Sequence, residues 1–175
     1  MNSLTSSGLS SDLGRRRPFT ATPQRPVSLV SIEFSRKALL VMKVDGRCLC
    51  GHLSYEAEVD ETRVEICNCT DCQALSGSAF RVNVPVIDGM FRFLSGEPRT
   101  YVKTAENGNR RILAFCPECG SSIYSKPADG RTGFFGLRVG SLRQRALLVP
   151  RAQYWHRSAQ RWTHSIGDMK TFETD

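Results

Sequence analysis

Short stretches in which apolar and polar residues alternate recur along most of the chain, separated by turns rich in glycine and proline. Leu53-Ser54-Tyr55-Glu56-Ala57-Glu58-Val59 has the two-residue period of a half-buried strand. Residues 79–86 repeat that pattern. Residues 90–94 do so again, ahead of the turn sequence Ser95-Gly96-Glu97-Pro98. Residues 100–102 and 111–115 are shorter strand candidates, joined through Glu106-Asn107-Gly108-Asn109, a turn by composition. Residues 134–139 predict another strand, and residues 69–76 predict one helical turn. No long stretch carries a 3.6-residue period, and no internal repeat is present. Many short strands with Gly and Pro turns predict a mainly β domain.

Composition divides the chain in two. Residues 1–41 are rich in Ser, Thr, Arg and Pro and hold only Asp12 and Glu33 as acids. They read as a disordered extension, as sequence upstream of a true start at Met42, or as an organellar leader. Residues 42–175 read as the folded domain. An apolar run with a small-residue cleavage site is missing from the head, which points away from secretion and toward the cytoplasm. No run approaches the roughly 20 apolar residues that span a bilayer, so no membrane partner is expected. Of the net charge of +7, the head carries +4, including the Arg15-Arg16-Arg17 run. The domain's remaining +3 argues against nucleic acid as the partner, which would call for a basic stripe with interleaved aromatics.

The chemistry lies in the seven cysteines, an odd and clustered set that reads as metal rather than disulfide. They form three groups: Cys48-Leu49-Cys50-Gly51, Cys67-Asn68-Cys69-Thr70-Asp71-Cys72, and Cys116-Pro117-Glu118-Cys119-Gly120. In the third group Pro fixes φ of a tight turn and Gly accepts the left-handed residue that follows, so both sulfurs face one side. Two such sulfurs are half of a tetrahedral zinc site, and Cys48 with Cys50 is a candidate pair to close it. A site with four thiolates is structural. The middle group offers three thiolates within six residues. Three ligands with one open position suit catalytic zinc. The alternatives are a second structural zinc closed by His52, His156 or His164, and a redox cluster.

Taken in order, these residues resemble the glutathione-dependent formaldehyde-activating family, which includes centromere-protein-V-like members. The resemblance runs from Gly46-Arg47-Cys48-Leu49-Cys50-Gly51 through Cys67–Cys72 and Ser76-Gly77-Ser78-Ala79-Phe80. It continues through Ser95-Gly96-Glu97-Pro98 and Phe115–Ser121 to Gly140-Ser141-Leu142 and Trp162, covering roughly 43–172. It implies an Mss4-like fold of small antiparallel sheets organised around zinc, with two zinc ions per chain. Cys48, Cys50, Cys116 and Cys119 would hold the structural ion, and Cys67, Cys69 and Cys72 the ion of the active site. The implied activity joins glutathione, or a related small thiol, to formaldehyde as S-hydroxymethylglutathione, and is classed with the carbon–sulfur lyases. Asn68 and Gln73-Ala74 stand where many relatives carry a histidine and basic residues. That departure spares the ligands and leaves the substrate open.

Arg110 and Arg111 are candidate clamps for the carboxylates of glutathione, which Arg binds bidentately. Asp71 reads as a turn former, and Tyr154, Trp155, His156 and Trp162 as packing of the last strand. The rival to an enzyme is a non-catalytic zinc-binding interaction module, with Arg143, Arg145, Arg151, Arg157 and Arg161 as its basic stretch. Oligomeric state leaves no mark in the sequence.

Overall fold

The computed structural model describes residues 40–130 and 132–174. The head up to residue 39, with its arginine run, lies outside the described residues. Nine strands and one α-helix follow in the order β1 (Val41–Arg47), β2 (Ser54–Asp60), β3 (Glu65–Cys67), α1 (Thr70–Ser76) and β4 (Arg81–Ser95). Then come β5 (Arg99–Thr104), β6 (Arg110–Phe115), β7 (Ser122–Pro127), β8 (Gly136–Arg138) and β9 (Ala152–Tyr154). Short 3-10 turns fill the C-terminal part, the longest at Arg161–Asp168. The sheet runs β1-β2-β4-β8-β7-β6-β5, with β3 between β4 and β9 off that path. Every pairing is antiparallel except β3 with β9. The mainly β expectation holds.

The alternation in β2 does what its pattern predicts. Tyr55, Ala57 and Val59 are buried, while Ser54, Glu56 and Glu58 stay half-exposed. Together with Leu53, Val84, Ile123, Leu137, Leu142 and Leu148 they form the core. Against them sits an aromatic cluster of Tyr55, Phe91, Phe93, Tyr124 and Phe135, with ring centroids 4.8–6.3 Å apart. Such pairs add about 0.5–1.5 kcal/mol each beyond area burial.

The segments 79–86 and 90–94, expected as two strands, fall from residue 81 onward in the single 15-residue β4. Its first part pairs with β3 and β8, and its second part with β2. The register shifts between Ala57↔Phe91 and Val59↔Val86, and Gly89 at φ +75° absorbs the extra residues in a bulge. The gap that looked like a strand end is therefore a bend. Pro85 sits opposite Gly136 at the changeover, where its missing N–H costs least, and the next residue, Val86, donates to Phe135 O at 2.9 Å.

β4 also departs from the expected burial. Arg81 and Asn83, the polar phase of the alternation, are 7 % and 3 % exposed. Their backbone neighbours are Cys67 and Glu65 on β3, and Asn83 also lies opposite Arg138 on β8. That face is a second, polar interior rather than a solvent face. It leads directly to the functional groups.

Candidate metal centres and the groove beside them

The first cysteine group follows β1. Cys48 N donates to Leu53 O at 3.0 Å, closing a turn in which Gly51 takes φ +82°. Leu53 N donates to Cys48 Sγ at 3.2 Å. The third group joins β6 to β7 by the same construction. Cys116 N donates to Ser121 O at 2.9 Å, Gly120 N to Cys116 O at 3.0 Å, and Gly120 takes φ +73°, the left-handed conformation expected of it. Ser121 links the two turns, accepting from Leu49 N at 3.0 Å and lying 3.2 Å from Cys119 Sγ.

The result is one set of four sulfurs, Cys48, Cys50, Cys116 and Cys119, all within 4.8 Å of one another. Cys48 and Cys50 Sγ are 3.5 Å apart, and Cys50 and Cys116 Sγ 3.8 Å apart. Tetrahedral zinc with bonds of about 2.3 Å separates its sulfurs by about 3.8 Å. The donor set therefore fits zinc. Cys48 and Cys116 are buried and Cys50 is exposed, so the set lies at the rim of the core.

Cys67, Cys69 and Cys72 form the second set, also within 4.8 Å of one another. Cys67 ends β3, Cys69 caps α1, and Cys72 is in its first turn. Cys67 and Cys69 Sγ are 3.6 Å apart, and Cys72 N donates to Cys69 Sγ at 3.3 Å. Among the described residues no histidine or carboxylate joins them at that range. His52, His156 and His164 are exposed elsewhere, the last two with rings 5.6 Å apart. This set too fits zinc, with three protein donors.

Crowding of the sulfurs shows in their proton affinities. Hydrogen bonds from the Ser121 hydroxyl and from backbone N–H groups hold Cys119 down to about 5. The N–H of His52 favours ionised Cys50, yet its neighbouring sulfurs, Cys48 foremost, push it up to about 12. In the trio, the hydrogen bond from Cys72 lowers Cys67, burial raises Cys69, and the partnership with Cys67 raises Cys72. Adjacent thiols cannot all ionise at once unaided. A divalent cation removes that constraint and displaces the protons.

The trio's loop is fixed by uncharged groups. Asn68, 1 % exposed, donates from its backbone N to Tyr154 O at 3.0 Å and from Nδ2 to the same oxygen at 3.1 Å. Gln73 Nε2 donates to Asn68 O and to Ser158 O, both at 2.8 Å, while its Oε1 accepts from Gln160. Asn68 and Gln73 are thus anchors that bind the loop to β9 and the C-terminal turns. Asp71, expected as a turn former, pairs with Lys103 of β5.

A groove of about 1020 Å³ opens beside both sets. The four-sulfur set contributes Cys48, Leu49, Cys119 and Ser121 to its wall, and the other side is built by Leu75, Ser76, Phe80 and Arg81. The trio's cysteines do not line it. Leu75 and Ser76 of their helix do, and so does Arg81, the register partner of Cys67. Neither Arg110 nor Arg111 reaches this wall. Arg110 is exposed, and Arg111 Nη2 donates to Ser125 O and Oγ at 3.2 Å and to Phe134 O at 2.5 Å. Five arginines line the groove, Arg47, Arg81, Arg138, Arg143 and Arg145, and of these Arg81 and Arg138 are buried, in the polar interior of β4. Their signal in the sequence was present but faint: single charged residues inside short apolar strands, in 79–86 and again in 134–139.

A small antiparallel β protein carrying two sulfur clusters able to hold metal ions is the class that this arrangement defines. The family model described as glutathione-dependent formaldehyde-activating enzyme matches residues 43–158, and the chain belongs to that family, whose fold is Mss4-like. No curated protein matches the chain in sequence. A crystal structure of a Rhodobacter sphaeroides protein is similar at 18 % identity, covering 62 % of this chain and 98 % of that one with a TM-score of 0.48. No helix among the described residues is long and apolar enough to cross a membrane.

Proposed function

We propose that the chain is a zinc-dependent enzyme of the carbon–sulfur lyase type, acting on the adduct of glutathione, or a similar thiol, with a small aldehyde such as formaldehyde. Cys48, Cys50, Cys116 and Cys119 hold a structural zinc, and Cys67, Cys69 and Cys72 hold the zinc of the active site. The observation that carries this reading is the contrast between four converging sulfurs and three. Family membership supports the thiol and the aldehyde.

Bound at the trio, zinc supplies Lewis acidity that favours the thiolate form of a substrate thiol. The chain's own residues do the rest. Asn68 and Gln73 lock the loop that presents the three sulfurs, so these are preorganised. The N–H of Cys72 stabilises charge on Cys69 Sγ. The groove beside α1 holds the body of the substrate. In the forward direction the thiol sulfur adds to the aldehyde carbon and one C–S bond forms. The carbonyl π pair moves to oxygen, and the thiol proton ends there as hydroxyl. The reverse reaction breaks the same bond.

The test is ¹³C exchange NMR with zinc-loaded protein, glutathione and ¹³C-formaldehyde. Exchange between aldehyde hydrate and S-hydroxymethylglutathione should exceed the spontaneous rate, and Cys69→Ser should abolish the excess. Exchange at the spontaneous rate with fully loaded protein would leave the sulfur clusters as scaffold only.

A further inference from the structure

Arg81 is the first residue of β4 and is only 7 % exposed. Its Nε and Nη2 are sealed from solvent and have no hydrogen-bond partner. Desolvating a guanidinium without a counter-group is costly, so a buried Arg is ordinarily paired. The neighbouring arginines obey that rule. Arg138, 6 % exposed, donates from Nη1 to Asn83 Oδ1 and from Nε to Ser122 Oγ at 3.4 Å. Arg111 is spent on Ser125 and Phe134. The carboxylate of this polar interior, Glu65, is engaged by Arg63, Asn83, Arg138 and Arg111. Arg81 and Arg138 also stand close enough to oppose each other's charge. Two buried cations thus share one wall of the groove, and one of them is unpaired.

We propose that Arg81, with Arg138 beside it, is the docking point for a carboxylate of the thiol substrate, an inference that rests on the thiol-handling reading above. The fork of a guanidinium matches a carboxylate bidentately, so a carboxylate that parts the groove wall over Nε and Nη2 pairs them and neutralises the surplus charge. The placement suits a small bifunctional ligand. Arg81 faces Cys67 across one strand pair, so their Cα atoms lie about 5 Å apart. A molecule carrying a thiol and a carboxylate a few bonds apart reaches the trio and Arg81 together. The competing role for Arg81 is that of a counter-charge to the trio, since it also acts on Cys72.

Calorimetric titration of the zinc-loaded full chain separates the two. The probes are glutathione, S-methylglutathione (carboxylates, no free thiol) and 2-mercaptoethanol (thiol, no carboxylate). Arg81→Met should weaken glutathione and S-methylglutathione by about 10-fold or more and leave 2-mercaptoethanol within about twofold. Arg81→Lys should recover part of the loss, as a charge without the fork. Equal weakening of both thiols overturns the proposal in favour of a counter-charge. Unchanged binding of every probe overturns it outright, with the thiol reading intact. Arg81-dependent binding of S-methylglutathione, in a protein whose trio no thiol protects from alkylation, sinks the thiol reading and keeps the anion dock. Should the Met variant fail to fold, wild type decides: glutarate must displace S-methylglutathione while glutaramide does not, and failure of that displacement overturns the dock.

Discussion

Replacing Cys116 by serine should cost the fold far more than replacing Cys69. Cys116 is fully buried at 0 % exposure, and its set joins Cys50 to Cys116 across 66 residues of chain. In the chain-entropy account, cross-linking a loop of that length removes about 4 kcal/mol of freedom from the denatured state. The trio closes only the few residues from Cys67 to Cys72, for which the same relation gives about 2 kcal/mol. Loss of Cys69 also leaves β3 paired with β4 and α1 closed by Gly77. Domains of this size are stable by about 5–15 kcal/mol, so the larger loss, added to an empty buried site, consumes most of the margin. Urea unfolding followed by circular dichroism, with zinc measured on the same samples, reads both quantities. Cys69→Ser should retain one zinc and a cooperative transition at a modestly lower midpoint. Cys116→Ser should lose that transition. Equal destabilisation by the two substitutions would refute the division into a fold-closing set and a locally closed one.

Gly46→Ala places a Cβ 2.4 Å from Tyr55 Oη and 2.7 Å from Ser141 O, a fixed backbone atom, so stability should fall by about 1–3 kcal/mol, read as a lower thermal midpoint. Gln73→Ala removes the bonds to Asn68 O, Ser158 O and Gln160, and limited proteolysis should then cut the segment after residue 155 sooner than in wild type while β1–β8 stay protected. Hydrogen bonds from Arg143 and Gln144 hold the Asp45 carboxyl below its ordinary 3.8. The stabilisation it gives is therefore complete above that value and is lost as pH falls through the lowered one. The stability difference between wild type and Asp45→Asn should stay constant from pH 7 to about 5 and shrink below about pH 4; a difference that grows on acidification would contradict the assignment.

What could be read without coordinates was the part with strong local grammar. β2, β5 and β6 follow from alternation and turn residues, and the cysteine turns from proline and glycine. β1 escaped because its inward phase passes through Gly46, whose small size lets Tyr55 and Ser141 close in but leaves no apolar mark. β3 and β9, three residues each, are too short to show a period and exist through pairing alone. The larger miss was Arg81. In a two-layer reading the polar phase of a strand faces water, whereas here β3 and β8 flank it and turn that phase inward. Arg110 and Arg111 precede a cysteine turn yet do not line the groove, since nearness in sequence says nothing of which way a strand presents its side chains.

The separation of 66 positions from Cys50 to Cys116 also sets an order of assembly on the ribosome. The middle trio is complete once six consecutive residues have emerged. Cys48 and Cys50 meanwhile wait as bare thiols for about 3–13 s of elongation before their partners appear. A growing chain that meets scarce metal or an oxidant in that interval is most vulnerable at its earliest pair, and the latest pair to be made decides whether the product survives.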